Sequence, residues 1–194
     1  MRIGSNIRLR SDGRFEARYE KDRTLDGKIA KKKPSAGGTV KTAACEADES
    51  ADFRRGGQGQ VVKELAQDVG VFKRIAFLDD DAHNPYAMDT CDNCSKYVDE
   101  YPIAIPSVGN NALRQKWIEM LVRCGFILPT LVHSTATVSP SADIGYGTMI
   151  EAKVTISTNA KIGMGYIISS GAIIERDVRI YDWMHIECGT TVRK

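Results

Sequence analysis

At 194 residues the chain is long enough for one or two domains, and with 42% apolar residues it can bury a core. No apolar run is long enough to span a bilayer, and the basic N-terminus lacks the apolar block of a signal peptide, so a cytoplasmic protein without a membrane partner is expected. The net charge of +2 conceals an asymmetry: residues 1–33 carry eleven Lys or Arg against five acids and the remainder is mildly acidic, which suggests two origins.

Residues 5–19 alternate apolar and basic positions on either side of Asp12-Gly13, a two-residue hairpin signal. Ile7, Leu9, Phe15, Ala17 and Tyr19 fall on one face of that hairpin, and Arg8, Arg10, Arg14 and Arg18 on the other, a spacing able to track phosphates. The segment resembles the arm-type DNA-binding domain of tyrosine recombinases. Nucleic acid would therefore be a partner through residues 1–30 only, and an exposed basic hairpin without a partner is the equal alternative. Residues 31–55 are Lys, Gly, Ala, Ser and charge with almost no large apolar side chains, which predicts a disordered linker.

From Gly56 a compact α/β unit is expected to run to residue 132. Val61, Val62, Leu65 and Val69 lie at helical spacing within Gln60–Gly70, and Arg74–Leu78 and Tyr101–Pro106 read as short buried strands. Ala112–Cys124 reads as a second helix, with Leu113, Trp117 and Leu121 on one face and Gly125 as its C-cap. Strands alternating with helices imply a small parallel sheet. Cys45, Cys124 and Cys188 are isolated, and Cys91-Asp-Asn-Cys94 with only His83 nearby is half a zinc site at most, so surface loop thiols and no metal are expected.

Residues 133–194 carry the strongest signal. Val138, Ile144, Ile150, Ile156, Ile162, Ile168, Ile174, Ile180, Ile186 and Val192 recur at every sixth position. That period fits neither a 3.6-residue helix nor a hairpin, but it suits flat-sided coils in which each repeat makes one side and turns one aliphatic residue inward. At three repeats per side-complete turn the segment makes about three coils, and a truncated parallel β-helix is expected.

This pattern resembles the hexapeptide repeat of left-handed β-helix acyltransferases. With Gly56-Gly57-Gln58-Gly59 opening a helix, Phe77-Leu78-Asp79-Asp80 ending a strand, Val108-Gly109-Asn110-Asn111 and Arg114 opening the next helix, and Leu131-Val132-His133-Ser134 before the coils, residues 56–194 resemble the sialic acid O-acyltransferases and UDP-amino-sugar N-acetyltransferases of bacterial glycan synthesis. The resemblance implies a Rossmann-like α/β subdomain followed by the β-helix, a homotrimer, acetyl-CoA as acyl donor, and a nucleotide sugar or sialic acid as substrate. It assigns substrate binding to Gly56, Gly57, Gln58, Gly59, Asp79, Asp80, Gly109, Asn110 and Asn111, and acetyl-CoA binding to His185 and Gly189, with His133 at the domain junction. A glycine turn at a helix N-terminus exposes backbone N–H groups to phosphate, and carboxylates at a strand's end can accept ribose or base hydrogen bonds.

Three departures from that pattern matter. Glu49–Arg55 cannot fill the central strand of a buried parallel sheet, so the first strand is expected to be lost. Gln58 stands where the family commonly has His. At the family's catalytic base position stands Arg176, followed by Asp177, and a guanidinium cannot be deprotonated at any working pH. His185 matches the family's second histidine and would polarise the thioester carbonyl or replace the base. Two readings follow: an acetyl-CoA-dependent sugar acyltransferase, or an inactive, truncated chimeric remnant of one.

Overall fold

The computed structural model describes residues 6–9, 15–18, 41–46, 57–72, 74–81 and 83–194, in two units, Met1–Thr39 and Val40–Lys194. In the first unit β1 (Asn6–Leu9) and β2 (Phe15–Arg18) pair antiparallel, with Ile7 opposite Ala17 and Leu9 opposite Phe15. A two-residue turn at Asp12-Gly13 would instead pair Leu9 with Glu16. The ladder is one residue off that expectation because this register sets apolar positions opposite apolar positions, and a one-residue slip would exchange the faces of a whole strand. Arg10, Arg14 and Tyr19 lie outside the described residues.

The second unit opens with β3 (Lys41–Glu46), inside the segment expected to be a disordered linker. It is followed by α1 (Gln58–Val69), β4 (Arg74–Asp79), β5 (Ala87–Asp89), a 3-10 helix (Cys91–Tyr97), β6 (Ile103–Pro106) and α2 (Asn111–Cys124). The four strands form one parallel sheet in the order β5-β4-β3-β6. The first strand is therefore present, displaced N-terminally from Glu49–Arg55. It was hidden because Lys-Thr-Ala-Ala-Cys-Glu lacks the Val, Ile and Leu run by which a central parallel strand is read. Its backbone is laddered on both sides, Thr42 to Ile75 of β4 and to Ile103 of β6. Both helices end on a left-handed glycine, Gly70 at φ +71 and Gly125 at φ +92, as the C-cap signal requires.

The cysteine expectation also changes. Cys91 and Cys94 are 0% and 1% exposed, packed with Leu78, Ala104, Leu121 and Phe126, because the 3-10 helix packs against β4 and α2. Burial pushes the Cys94 thiol up to about 11, which makes it an inert core group. Among the described residues no cluster of His, Cys, Asp and Glu could hold a metal ion, and no helix is long and apolar enough to cross a membrane.

The remaining strands are two residues each: β7 (Leu131–Val132), β8 (Thr137–Val138), β9 (Asp143–Ile144), β10 (Met149–Ile150), β11 (Thr155–Ile156), β12 (Lys161–Ile162), β13 (Ile167–Ile168), β14 (Ile173–Ile174), β15 (Arg179–Ile180), β16 (His185–Ile186) and β17 (Thr191–Val192). They stack as three parallel sheets, β7-β10-β13-β16, β8-β11-β14-β17 and β9-β12-β15, the faces of a left-handed β-helix of about three turns. Partners in the ladder are eighteen residues apart, Met149 with Ile167 and Ile167 with His185. The every-sixth aliphatics point inward: Ile150, Ile156, Ile162, Ile168 and Ile174 are all at most 4% exposed. The fifth residue of each repeat joins them, Val154, Ala160, Tyr166, Ala172 and Val178 filling the same core.

Corners recur with the same period. Gly147, Lys153, Asn159, Gly165, Gly171, Asp177, Trp183 and Gly189 all have φ between +57 and +73. Gly, Asn and Asp tolerate that region, whereas a tryptophan there is strained by roughly 1–2 kcal/mol. Trp183 is held by packing. Its ring lies so close over Gly165 that a Cβ on that glycine would meet it at 2.6 Å, and it packs against the core that includes Ile118 of α2.

Candidate active site

The α/β domain sits on the β7-β10-β13-β16 face. Leu131, Met149 and Ile167 project outward there, yet are 1%, 1% and 0% exposed because Val62, Leu65, Ala66 and Ile105 cover them. The next residue of that ladder is His185, whose side chain is 25% exposed. The histidine is thus the first outward residue beyond the cover, at the seam between domain and coil.

Its neighbours come from adjacent turns. Ser169 Oγ lies 2.9 Å from His185 Nε2 and 3.4 Å from Glu151 Oε1. Glu151 Oε2 accepts from Ser170 N and Ser170 Oγ, both at 3.0 Å. Glu187 Oε1 is 3.9 Å from His185 Nδ1, and its side chain is 79% exposed. Glu151, Ser169 and Glu187 are eighteen residues apart and share one stacked position after the inward aliphatic. Each follows an inward isoleucine of the repeat, and indexing the sequence by eighteen rather than six sets the three in one column.

A buried arginine fixes the approach to β16. Arg114 is 0% exposed, and each of its five N–H donors has an acceptor. Nε donates to Gly165 O at 2.8 Å, one terminal nitrogen to Val108 O and Gly109 O at 3.0 and 2.9 Å, and the other to Asn111 Oδ1 and Met184 O at 2.7 and 3.2 Å. Burial draws the guanidinium down to about 10, still charged at neutral pH. Arg114 therefore clamps the start of α2 to two corners of the coil, one of them immediately before His185. Its motif was visible in the sequence; its reach of 70 residues to Met184 was not.

The other expected residues fall into separate groups. Gly56 lies outside the described residues; Gly57 is the exposed N-cap of α1, and Gly59 is buried in its first turn. The amide nitrogen of Gln58 is buried with no hydrogen-bond partner among the described residues. Asp79 is 5% exposed and accepts from Asp81 N at 2.9 Å and Asn84 Nδ2 at 2.6 Å, while Asp80 accepts from Cys91 N at 2.9 Å. Both carboxylates thus brace their own loop. Asn110 caps α2 through Leu113 N at 3.0 Å, and Asn111 serves Arg114, leaving Gly109 open toward solvent. His133 accepts from Thr135 N at 3.1 Å, beside Asp68 of α1, which binds Ser134 N and Oγ at 2.6 and 2.8 Å; this ties the end of α1 to the first coil. Gly189 forms a corner of the last turn, its N–H donating to Ser170 O at 3.0 Å.

Arg176 and Asp177 stand at the corner between β14 and β15, half a turn from His185, so within one chain the structure does not bring them together. Asp177 accepts from Asn159 Nδ2 at 3.2 Å. Asp177 lines an open concavity of about 830 Å3 together with Lys161, Arg179, Arg193 and Lys194. Lys161 and Arg179 are ladder partners, and like charges stacked in this way favour an anion between them.

Comparison with known proteins places these features in context. A family model described as the PglD N-terminal domain matches residues 55–121. The acetyltransferase domain of PglB from Neisseria gonorrhoeae, solved with acetyl coenzyme A, is 30% identical, with 80% of this chain and 83% of that chain aligned at a TM-score of 0.61. A mutant GDP-perosamine N-acetyltransferase from Caulobacter crescentus, solved with CoA and GDP-perosamine, is 26% identical over 74% of this chain and 67% of that one, at a TM-score of 0.64. WeeI from Acinetobacter baumannii, 18% identical at a TM-score of 0.61, shares the fold. No curated protein matches significantly.

Proposed function

Since the chain belongs to the hexapeptide-repeat sugar acetyltransferases that carry a PglD-type N-terminal domain, we propose that it uses acetyl-CoA to acetylate a nucleotide-linked amino sugar or sialic acid in bacterial surface-glycan synthesis. It would act in the cytoplasm. The observation that carries this reading is the placement of His185 at the domain–coil seam, with one ring nitrogen hydrogen-bonded to Ser169 and the other turned outward. A general base must stand within hydrogen-bond reach of the proton it takes, and a neutral imidazole keeps one ring nitrogen free to accept it. Arg176 cannot do this work, so His185 takes the base's role.

Two further features support a substrate site. The unpaired buried amide of Gln58 beside the Gly57 turn offers a donor to a ligand oxygen, and an orphan of that kind costs about 1–3 kcal/mol when nothing satisfies it. The concavity carries Lys161, Arg179, Arg193 and Lys194 against the single carboxylate of Asp177, with Arg193 also paired to Glu175 at 3.3 Å, a net cationic surface for the phosphates of the acyl donor. O- or N-acylation and the identity of the sugar rest on pocket shape.

A second reading, a family member without turnover, is favoured by Arg176 alone. Binding of acetyl-CoA followed by calorimetry, and steady-state turnover followed by thiol release, separate the two. Turnover lost in His185→Ala supports the first; acetyl-CoA binding without turnover supports the second.

A further inference from the structure

The contacts around His185 define more than its position, and the geometry points to a Glu151–Ser169–His185 relay that fixes the imidazole in its Nε2–H tautomer and leaves Nδ1 as the proton acceptor. Glu151 can only accept hydrogen bonds. Its Oε2 is held by Ser170 N and Oγ at 3.0 Å each, so Oε1 is the oxygen turned toward Ser169. Ser169 has one proton, and donating it to the carboxylate is the charge-assisted choice. Its Oγ, 2.9 Å from Nε2, then accepts from an Nε2–H. A histidine's free nitrogen is set by the bond its other nitrogen makes. Nδ1 is therefore left unprotonated: the nearest carboxylate, that of the exposed Glu187, is 3.9 Å away, too far to accept a hydrogen bond from it.

The chemistry of this relay rests on the acyl-transfer reading; its geometry does not. In the transfer step the acceptor's lone pair forms a bond to the acetyl carbon of the acyl donor while its proton passes to Nδ1. The C–S bond then breaks, and the proton leaves Nδ1 for the CoA sulfur. The positive charge that the ring carries between those events is stabilised through Ser169 by Glu151. Ser169 and Glu151 are positioning residues. The sequence marks neither as a site residue; together they orient His185, the base that Arg176 cannot be.

The test reads tautomer and turnover separately, on the full chain with 15N-labelled histidine. His185, assigned by its loss in His185→Gln, is expected as the Nε2–H form in the parent, and to lose that preference in Ser169→Ala while Ser169→Thr keeps it. With acetyl-CoA and a UDP-amino sugar, Ser169→Ala and Glu151→Gln are expected to lower kcat about tenfold or more with KM unchanged, the scale on which outer partners of a functional histidine act. An Nδ1–H tautomer in the parent, or one unmoved by Ser169→Ala, overturns the relay. A parent with the Nε2–H signature but no turnover overturns the acyl-transfer reading and leaves the relay standing.

Discussion

Single residues decide whether the seam is built. Arg114 has no carboxylate among its five acceptors; four are backbone carbonyls and the fifth is an amide. Lysine at this site would offer three donors in place of five. Arg114→Lys should strip partners from at least two buried acceptors and cost about 2–4 kcal/mol, read as a lowered denaturation midpoint with an unchanged slope. A variant as stable as the parent would mean that the clamp is ornamental. At the other end of the same argument, Arg176→His should restore little activity, because position 176 lies half a turn from His185 within one chain. A gain approaching the hundred- to ten-thousand-fold that a positioned base contributes would return the base's role to that corner.

Among the elements, the coil was the most legible and the sheet the least, for one reason. A hexapeptide strand writes its inward residue as Ile or Val at fixed intervals, so Ile162, 4% exposed, could be placed inside from spacing alone. Ile162→Asp should bury an unpaired carboxylate there and cost about 4 kcal/mol or more; a melting curve matching the parent would reverse the inward assignment. β3 carries no such signature, since small and polar residues in a central strand look like linker, and only its two backbone ladders identify it. The site follows the same division. His185 and Arg176 were visible as motif positions, whereas Glu151, Ser169 and the far partners of Arg114 depend on which coil lies above which. The loop after β5 makes a pH prediction. Asn93, Thr90 N–H and the Tyr97 hydroxyl all donate to Asp89 and hold its carboxyl down to about 2 from its ordinary 3.8. A lowered acid contributes stability above its unfolded value and loses it as pH falls through the folded one. Asp89→Asn should therefore flatten the stability profile between about pH 4 and pH 2, and a slope there unchanged from the parent would contradict it.

For the molecule as a whole, the outward side chains argue for assembly. Ile173, Met184 and Tyr181 are 40%, 53% and 87% exposed on the coil, and the family resemblance implies a homotrimer. Sedimentation at micromolar concentration should give three chains, and a stable monomer would contradict it. The stacking rule also limits how this chain can change in length. Because the same face returns only every eighteen residues, a single six-residue repeat inserted between Ser169 and His185 would preserve the hydrophobic rhythm, fold without complaint, and carry the histidine a third of a turn around the prism. Lineages that gain or lose repeats here can do so freely in threes, and in any other number only by moving their chemistry to another side of the molecule.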